Sequence, residues 1–238
     1  FDQIDQIQSL ADLQRYLEED TRRGGNPICA WGVGADKKNS QQNVVYLGSF
    51  SLGMARDYYQ KQSESNTKAL AEYQQYLTAL FYLIKEEHPK EKAKQIIDFE
   101  RGIAQLMFTN EERRNPNITY NPVSLQELST LVKNLNLPDY LRNVGVSTDR
   151  VIIGDIRLYK AYDNFVNSTN LPLLKDYLKI QLIADNTHTL NEELDKLSFH
   201  FYSTTLKGIK EQRPMNKRAL GVINGLLGEA FGKLYVEK

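Results

Sequence analysis

The sequence predicts an all-α protein, a multi-helix bundle-like domain with one small β-hairpin near residues 28–47. Along most of the chain, apolar residues recur every three or four positions, which is the spacing of one helical face. Short polar breaks containing Gly or Pro separate these segments, and only the stretch near the hairpin has a strand pattern. The sequence shows no low-complexity linker and no repeat, so we expect a single helical domain over residues 1–238.

The first part of the chain predicts a capped helix followed by the hairpin. Ser9 is placed to cap a helix, because leucines follow it at helical spacing. The Gly-Gly-Asn-Pro sequence of residues 24–27 ends that helix. Two extended stretches, residues 28–33 and 43–47, flank a polar turn and predict a pair of strands.

Helices are predicted for most of the remainder. A long helix is expected from about residue 67 to 87, ended before Pro89 because a residue preceding proline disfavours helical backbone. Ser124 and Glu127 have the spacing of a capping box. Val151–Ile153 fits either a strand or a buried connector. The other predicted helices lie near Ile96–Leu106, after Ser124, and at residues 155–167, 173–186, 190–212 and 217–237.

Four glycines form a stripe on one face of the last predicted helix. Each glycine costs about 1 kcal/mol relative to alanine inside a helix, so a compensating contact is expected. Charged residues nearby argue against membrane packing, and we therefore predict close packing against a neighbouring helix of a soluble bundle. The glycines are Gly221, Gly225, Gly228 and Gly232.

Composition argues against several classes of partner. Thirty basic residues balance thirty acidic ones, which argues against a nucleic-acid-binding surface. The most apolar late segment, residues 219–236, is interrupted by polar and charged residues, so no membrane span is expected. No secretory signal opens the chain, and the Phe1 start suggests that upstream sequence was removed. The one cysteine, Cys29, is expected to be a small buried hydrophobic residue.

The three histidines do not have the spacing of a zinc site. Two histidines four residues apart with Glu between them can bind zinc on one helix face and supply a general base. None of His88, His188 and His200 is followed by Glu, and no two stand four apart. We expect His88 to be exposed or capping at a helix end and His200 to be packed in the core. We therefore assign no metal ligand in this chain.

Other patterns that carry chemistry are also missing. Adjacent carboxylates on a helix point about 100° apart, so the Glu pairs are interpreted as solvated faces. Gly32–Gly34 lacks the rest of a phosphate-binding loop, and the region of Ser203 lacks a nucleophile elbow. We accordingly predict no catalytic and no cofactor-binding residue. The Glu pairs are Glu18–Glu19, Glu86–Glu87, Glu111–Glu112 and Glu192–Glu193.

Several short motifs occur in one order along nearly the whole chain. Their ordered set is similar to that of the neprilysin, endothelin-converting-enzyme and oligopeptidase O family of zinc metallopeptidases. The motifs are Trp31–Ser40 (WGVGADKKNS), Leu52–Tyr59 (LGMARDYY), Glu100–Ala104, Arg113–Asn115, Tyr120–Pro122, Leu174–Leu178, Phe199–Tyr202, Gly208, Arg213 and Gly228–Val236 (GEAFGKLYV).

The resemblance implies the helical, non-catalytic part of such an enzyme. In the family, this part faces a zinc-bearing domain and encloses a cavity that admits peptides. The resemblance places the zinc residues beyond Val236, so zinc belongs to the parent enzyme, and this chain is expected to be inactive alone. The expected partners are the missing catalytic domain of the same polypeptide and peptide substrates of the parent.

The chain departs from the family pattern at two places. Met54–Ala55 replaces a usual proline, and the Trp and Cys expected after Arg213 are missing. The missing cysteines indicate a bacterial member, and an extracytoplasmic location, periplasmic or surface-linked, is favoured over a cytoplasmic one. The motif residues are interpreted as packing and turn devices, with direct substrate contact as the less favoured role. The alternative to an enzyme domain is a free-standing helical interaction module of the same ancestry.

Overall fold

The chain is mostly helical, as predicted. A computed structural model describes residues 1–25 and 27–237. Within them, the helices are α1 Asp2–Asp5, α2 Leu10–Arg22, α3 Arg56–Gln60, α4 Glu64–Leu83, α5 Pro89–Leu106, α6 Pro116–Thr119, α7 Leu125–Leu131, α8 Leu137–Asn143, α9 Ile156–Lys160, α10 Tyr162–Phe165, α11 Leu171–Leu190, α12 Glu192–Ser198 and α13 Met215–Val236. Two short 3₁₀ turns, Glu112–Arg114 and Ser168–Asn170, and a π-helix, Phe199–Thr205, complete the helical segments.

The predicted hairpin is one half of a four-stranded mixed sheet. Strands β1 (Trp31–Asp36) and β2 (Asn39–Leu47) pair antiparallel around the expected polar turn. Strand β4 (Arg150–Ile153) pairs parallel to β2, and β3 (Asn121–Ser124) pairs antiparallel to β4. The order is β1-β2-β4-β3. Residues 151–153 are therefore a strand, which satisfies the backbone groups of three fully buried residues.

Capping side chains start two helices where the sequence predicted them. The backbone N–H of Asp12 donates to Ser9 Oγ at 3.1 Å, and this bond fixes the start of α2. At α7, Glu127 N–H donates to Ser124 Oγ at 3.2 Å, and Ser124 N–H donates to Glu127 Oε2 at 2.8 Å. These reciprocal bonds form the predicted capping box.

Some predicted helix boundaries are wrong, and the helix predicted over residues 155–167 is two short helices, α9 and α10. Helix α4 ends at Leu83, because the backbone at Lys85 and His88 turns left-handed, with φ of 59° and 52°. The helix predicted over residues 190–212 is divided, because Asn191 accepts a hydrogen bond from Leu194 N–H and caps the new helix α12. A π-helix follows α12 and ends before Gly208, whose φ of +70° favours glycine.

The hydrophobic core contains no residue of α13. Its buried members extend from Ile4 to Phe201. Tyrosine is prominent in it, since burial of the ring is compatible with a hydroxyl that still finds a partner. Tyr159 Oη donates to the Gly48 carbonyl at 2.9 Å, and Tyr162 Oη donates to the Ile28 carbonyl at 3.3 Å.

The predicted packing of the glycine stripe is wrong for the described chain. A Cβ built at each of Gly221, Gly225, Gly228 and Gly232 would meet no described atom within 4 Å. Every residue of α13 except Arg218 is exposed, and the helix is kinked at Leu227, between two of these glycines. The stripe has no neighbouring helix because α13 lies outside the core.

Within the described ranges, no helix combines the length and apolar content that crossing a membrane requires.

Candidate functional site

The three histidines lie apart and do not form a metal centre. His88 is exposed at the start of α5, as predicted. His188 Nδ1 lies 2.7 Å from Asp195 Oδ1. The core position predicted for His200 is wrong, because the neighbouring Phe201 occupies the core and the His200 side chain is exposed. Among the residues that the structure describes, no three His, Cys, Asp or Glu side chains are grouped to hold a metal ion.

Cys29 and some members of the Glu–Glu pairs are buried or bonded to neighbouring side chains. Cys29 is 1% exposed, and burial raises the pKa of its thiol to about 12, which confirms the predicted buried role. The solvated role predicted for every glutamate pair is wrong at two positions. Glu18 is buried and accepts hydrogen bonds from Gln14 and Asn143. Glu86 binds the ammonium groups of Lys92 and Lys179.

Asp36 joins two of the sequence motifs. Its carboxylate accepts hydrogen bonds from Lys38 N–H at 2.8 Å, Tyr120 Oη at 2.8 Å and Arg150 at 2.7 Å. These bonds, the one from Lys38 foremost, lower the pKa of Asp36. The hairpin turn is thereby fixed to the start of β3 and to β4. Asp36 is 2% exposed, and all three of these bonds come from residues of the chain itself.

Glu100 joins the second motif to helix α5. Its fully buried carboxylate accepts from Gly53 N–H at 2.9 Å, Tyr59 Oη at 2.7 Å and Tyr73 Oη at 3.3 Å. Burial raises the pKa of Glu100 to about 7, although the three hydrogen bonds oppose this shift. Arg56, from the same motif, donates from Nε to the Met107 carbonyl at 2.9 Å. This network fixes the loop before α3 against the core.

Asp195 connects α13 to the helical body, a role that the sequence did not reveal. Its buried carboxylate lies 2.8 Å from the Arg218 guanidinium and also accepts from Gln212 at 3.1 Å and His188 at 2.7 Å. Burial alone would raise the pKa of Asp195, but these hydrogen bonds outweigh it and lower the pKa. Asp195 is one of several acidic residues at the start of α12, so its spacing carried no signal.

Two concave regions meet at Arg113. The hairpin cavity has a volume of about 410 Å³ and is lined by residues that include Trp31, Tyr46 and Asp155. The loop cavity has a volume of about 590 Å³ and is lined by residues that include Tyr58. Arg113 lines both cavities, so they lie on either side of one side chain. We call the two cavities together the Arg113 groove.

A separate apolar groove lies on the outer face of α4. Its volume is about 920 Å³, and its walls include Ala79, Tyr82, Leu197 and His200. Tyr82 is 74% exposed. The structure thus has both concave surfaces and an exposed apolar surface.

The fold and parts of the sequence are similar to those of known metalloproteases. The chain is 27% identical over 221 residues to endothelin-converting enzyme 1 of Bos taurus, covering 89% of this chain and 29% of that protein. It is 25% identical over 240 residues to a putative zinc metalloproteinase in the scaA 5′ region of Streptococcus gordonii, covering 98% of this chain and 42% of that protein. The crystal structure of Mycobacterium tuberculosis zinc metalloprotease ZMP1 in complex with inhibitor superposes with a TM-score of 0.91 at 23% identity, covering 99% of this chain and 36% of that one.

These similarities identify the fold of the chain and the family to which it belongs. Its fold is that of the matched portion of zinc metalloprotease ZMP1, a mostly helical domain. The model of Peptidase family M13 matches residues 1–238, and the chain belongs to this family. It spans 29% and 42% of the lengths of the two relatives described above.

Proposed function

We propose that this chain is the substrate-enclosing helical domain of a bacterial zinc metalloendopeptidase that hydrolyses peptides, and that it is not catalytic alone. Membership of Peptidase family M13 supports the enzyme class. The short span of the relatives' length supports a missing catalytic domain as its partner. The Streptococcus gordonii relative, matched over 98% of this chain, supports a bacterial origin.

The exposed helix α13 is the observation that carries this proposal. Ten large apolar side chains are exposed along it, and Leu226, Tyr235 and Val236 are 79%, 85% and 82% exposed. An exposed apolar surface of this extent is typical of a contact with another polypeptide segment. Its glycines would let another helix approach closely there. The remainder of the parent polypeptide is the partner that would cover this surface.

The residues of this chain do not fit the zinc ion that the relatives' names imply. Within the described part of the chain, no group of three ligating side chains exists, and the exposed His200 lies on the apolar groove without an acidic cluster. We therefore place the zinc ligands in sequence outside this chain, and assign no catalytic, cofactor-binding or metal-binding residue within it. We also propose an extracytoplasmic location for the parent, periplasmic or surface-linked.

A cleavage assay tests the proposed function. The purified chain and a longer protein that includes the downstream reading frame would be compared on a quenched fluorogenic peptide, with and without zinc. We expect that only the longer protein cleaves the peptide. A chelator should abolish this cleavage, and added zinc should restore it. A longer reading frame without zinc-binding motifs, or a longer protein inactive with zinc, would instead identify a free-standing helical interaction module. Zinc-dependent cleavage by the purified 238-residue chain would contradict the proposal.

A further inference from the structure

The Arg113 groove carries cationic side chains that have no directly bonded carboxylate among the described residues. Within residues 1–25 and 27–237, the side chains of Arg113 and Lys207 make no hydrogen bond and no ion pair. Lys37, at the other end of the groove, lies with its ammonium 5.8 Å from the centre of the Tyr46 ring. All three residues are exposed. An anionic ligand would therefore meet positive charge along the whole groove.

The acidic side chains that line the groove are already satisfied or buried. Asp57 binds Lys61 at 2.7 Å and Arg56 at 3.3 Å. Asp155 is 7% exposed, and its Oδ2 accepts from Phe108 N–H at 2.7 Å. Asp155 interacts with Arg113 through space, and neither carboxylate bonds to Arg113 directly. The groove thus presents net positive charge to a ligand.

Two buried polar atoms of the hairpin cavity have no partner among the described residues. They are Oδ1 of Asp155 and the indole Nε1 of Trp31. A buried polar atom without a hydrogen bond costs about 1–3 kcal/mol, so a ligand that supplies partners is favoured. Asp155 Oδ1 requires a donor and Trp31 Nε1 requires an acceptor. A peptide backbone offers both groups, since each non-proline residue carries one N–H donor and one C=O acceptor.

The walls of the groove suit the side chains of an extended peptide. Trp31, Tyr46 and Phe108 line the hairpin cavity, and Phe50, Tyr58 and Tyr202 line the loop cavity. Aromatic walls with a few polar groups are typical of ligand sites. The cations at Arg113 and Lys207 then add selectivity, because charge-assisted bonds to carboxylates are stronger than neutral ones.

From these observations we propose that the Arg113 groove binds extended peptides that carry acidic side chains, with Arg113 and Lys207 as the residues that select them. This inference rests on the proposed function, because it names a class of peptide for the enclosing domain. In this proposal the domain selects peptides by their charge, in addition to enclosing them. Binding requires neither zinc nor hydrolysis.

Fluorescence of Trp31 provides a direct test, because it is the chain's one tryptophan and lines the hairpin cavity. The probe is an octapeptide of alternating leucine and glutamate, blocked at both ends, and the comparison is the same peptide with glutamine. We expect the fluorescence of Trp31 to change and to saturate as the glutamate peptide is added. The glutamine peptide should bind about tenfold more weakly. Equal binding of the two would overturn the proposal. So would binding that requires a free peptide carboxyl terminus.

Charge-reversal variants locate the binding. Arg113→Glu and, separately, Lys207→Glu should each weaken binding of the glutamate peptide about tenfold. The control is Arg114→Glu, which makes the same charge change at an exposed neighbour that lines neither cavity. An equal loss with Arg114→Glu would show non-specific attraction and refute the groove. Unfolding curves for each variant establish that the fold is retained.

The outcome is separable from that of the proposed function. If the chain binds the glutamate peptide but the longer protein is inactive, the proposed peptide groove stands and the proposed peptidase function does not. Zinc-dependent cleavage by the longer protein, without selective binding of the glutamate peptide here, would retain the peptidase and remove the groove.

Discussion

At the scale of single residues, Glu100 makes stability depend on pH. Its pKa of about 7 in the folded chain lies above the ordinary glutamate value of 4.5. Between these two pH values the folded chain holds a proton that the unfolded chain has lost, so stability falls as pH rises through this window. The contribution is fully present below pH 4.5 and lost above about pH 7. Its size is on the order of 3 kcal/mol.

Glu100→Gln should remove this dependence, since the amide does not titrate. We compare the free energy of unfolding of the variant with that of the unmodified 238-residue chain. The difference, variant minus unmodified chain, should rise by a few kcal/mol between pH 4.5 and pH 7.5. Urea unfolding at several pH values measures it. The matched control is Glu91→Gln, an exposed glutamate of the same helix. An unchanged difference across this range would show that Glu100 does not titrate there.

Gly53 is a second residue on which the buried network around Glu100 depends, because the network leaves no room for a side chain there. A Cβ at this position would overlap the hydroxyl of Tyr73, which bonds to Glu100. Gly53→Ala should therefore lower the free energy of unfolding by about 1–3 kcal/mol. Gly32→Ala is the control, because a Cβ there would meet nothing within 4 Å. If urea midpoints of the two variants agree, the overlap is relieved without cost.

At the scale of elements, the attachment of α13 depends on Asp195. The bond from Arg218 is the one charged contact that the described residues make between this helix and the body. Asp195→Asn should weaken it, with a loss of about 1–3 kcal/mol in unfolding free energy. Cleavage by trypsin in the segment before α13, after Lys207 and Lys210, should become faster.

Glu192→Gln is the control for Asp195→Asn. Glu192 is in the same helix, is exposed, and pairs only with Lys196 at 2.6 Å among the described residues. Trypsin digestion followed by mass spectrometry measures cleavage at the segment. Equal cleavage rates in the two variants would mean that Asp195 does not hold α13 in place.

At the scale of the whole molecule, local signals predicted the elements but not all of their neighbours. Ser9 and Ser124 marked helix starts, because capping is a contact between residues close in sequence. Residues 151–153 stayed ambiguous, because both of their partner strands, β2 and β3, lie in other parts of the sequence and three residues are too few to show a period. The glycine stripe predicted a close contact that the described residues do not make, because spacing along one helix does not state whether a neighbouring segment is present. The Arg113 groove was missed for the same reason, since its walls come from distant segments.

The separation of α13 from the core predicts that the helix is dispensable for the stability of the body. A chain ending at Leu220 keeps Arg218 and its bond to Asp195, while it removes most of the exposed apolar side chains. Its free energy of unfolding should agree with that of the full chain within about 1 kcal/mol, because no core residue is lost. The full chain should self-associate with increasing concentration through α13, because large exposed apolar patches drive association. The shortened chain should stay monomeric.

Sedimentation velocity and urea unfolding on both chains measure these two properties separately. Leu226→Glu with Leu227→Glu in the full chain is the matched variant, since it keeps the length and removes apolar surface. It should reduce self-association without changing the free energy of unfolding. A loss of several kcal/mol on shortening would place α13 within one cooperative domain over residues 1–238. Agreement of the two free energies would instead place the boundary of the folded body at or before Leu220, and leave the rest of α13 free to pack against the proposed catalytic domain.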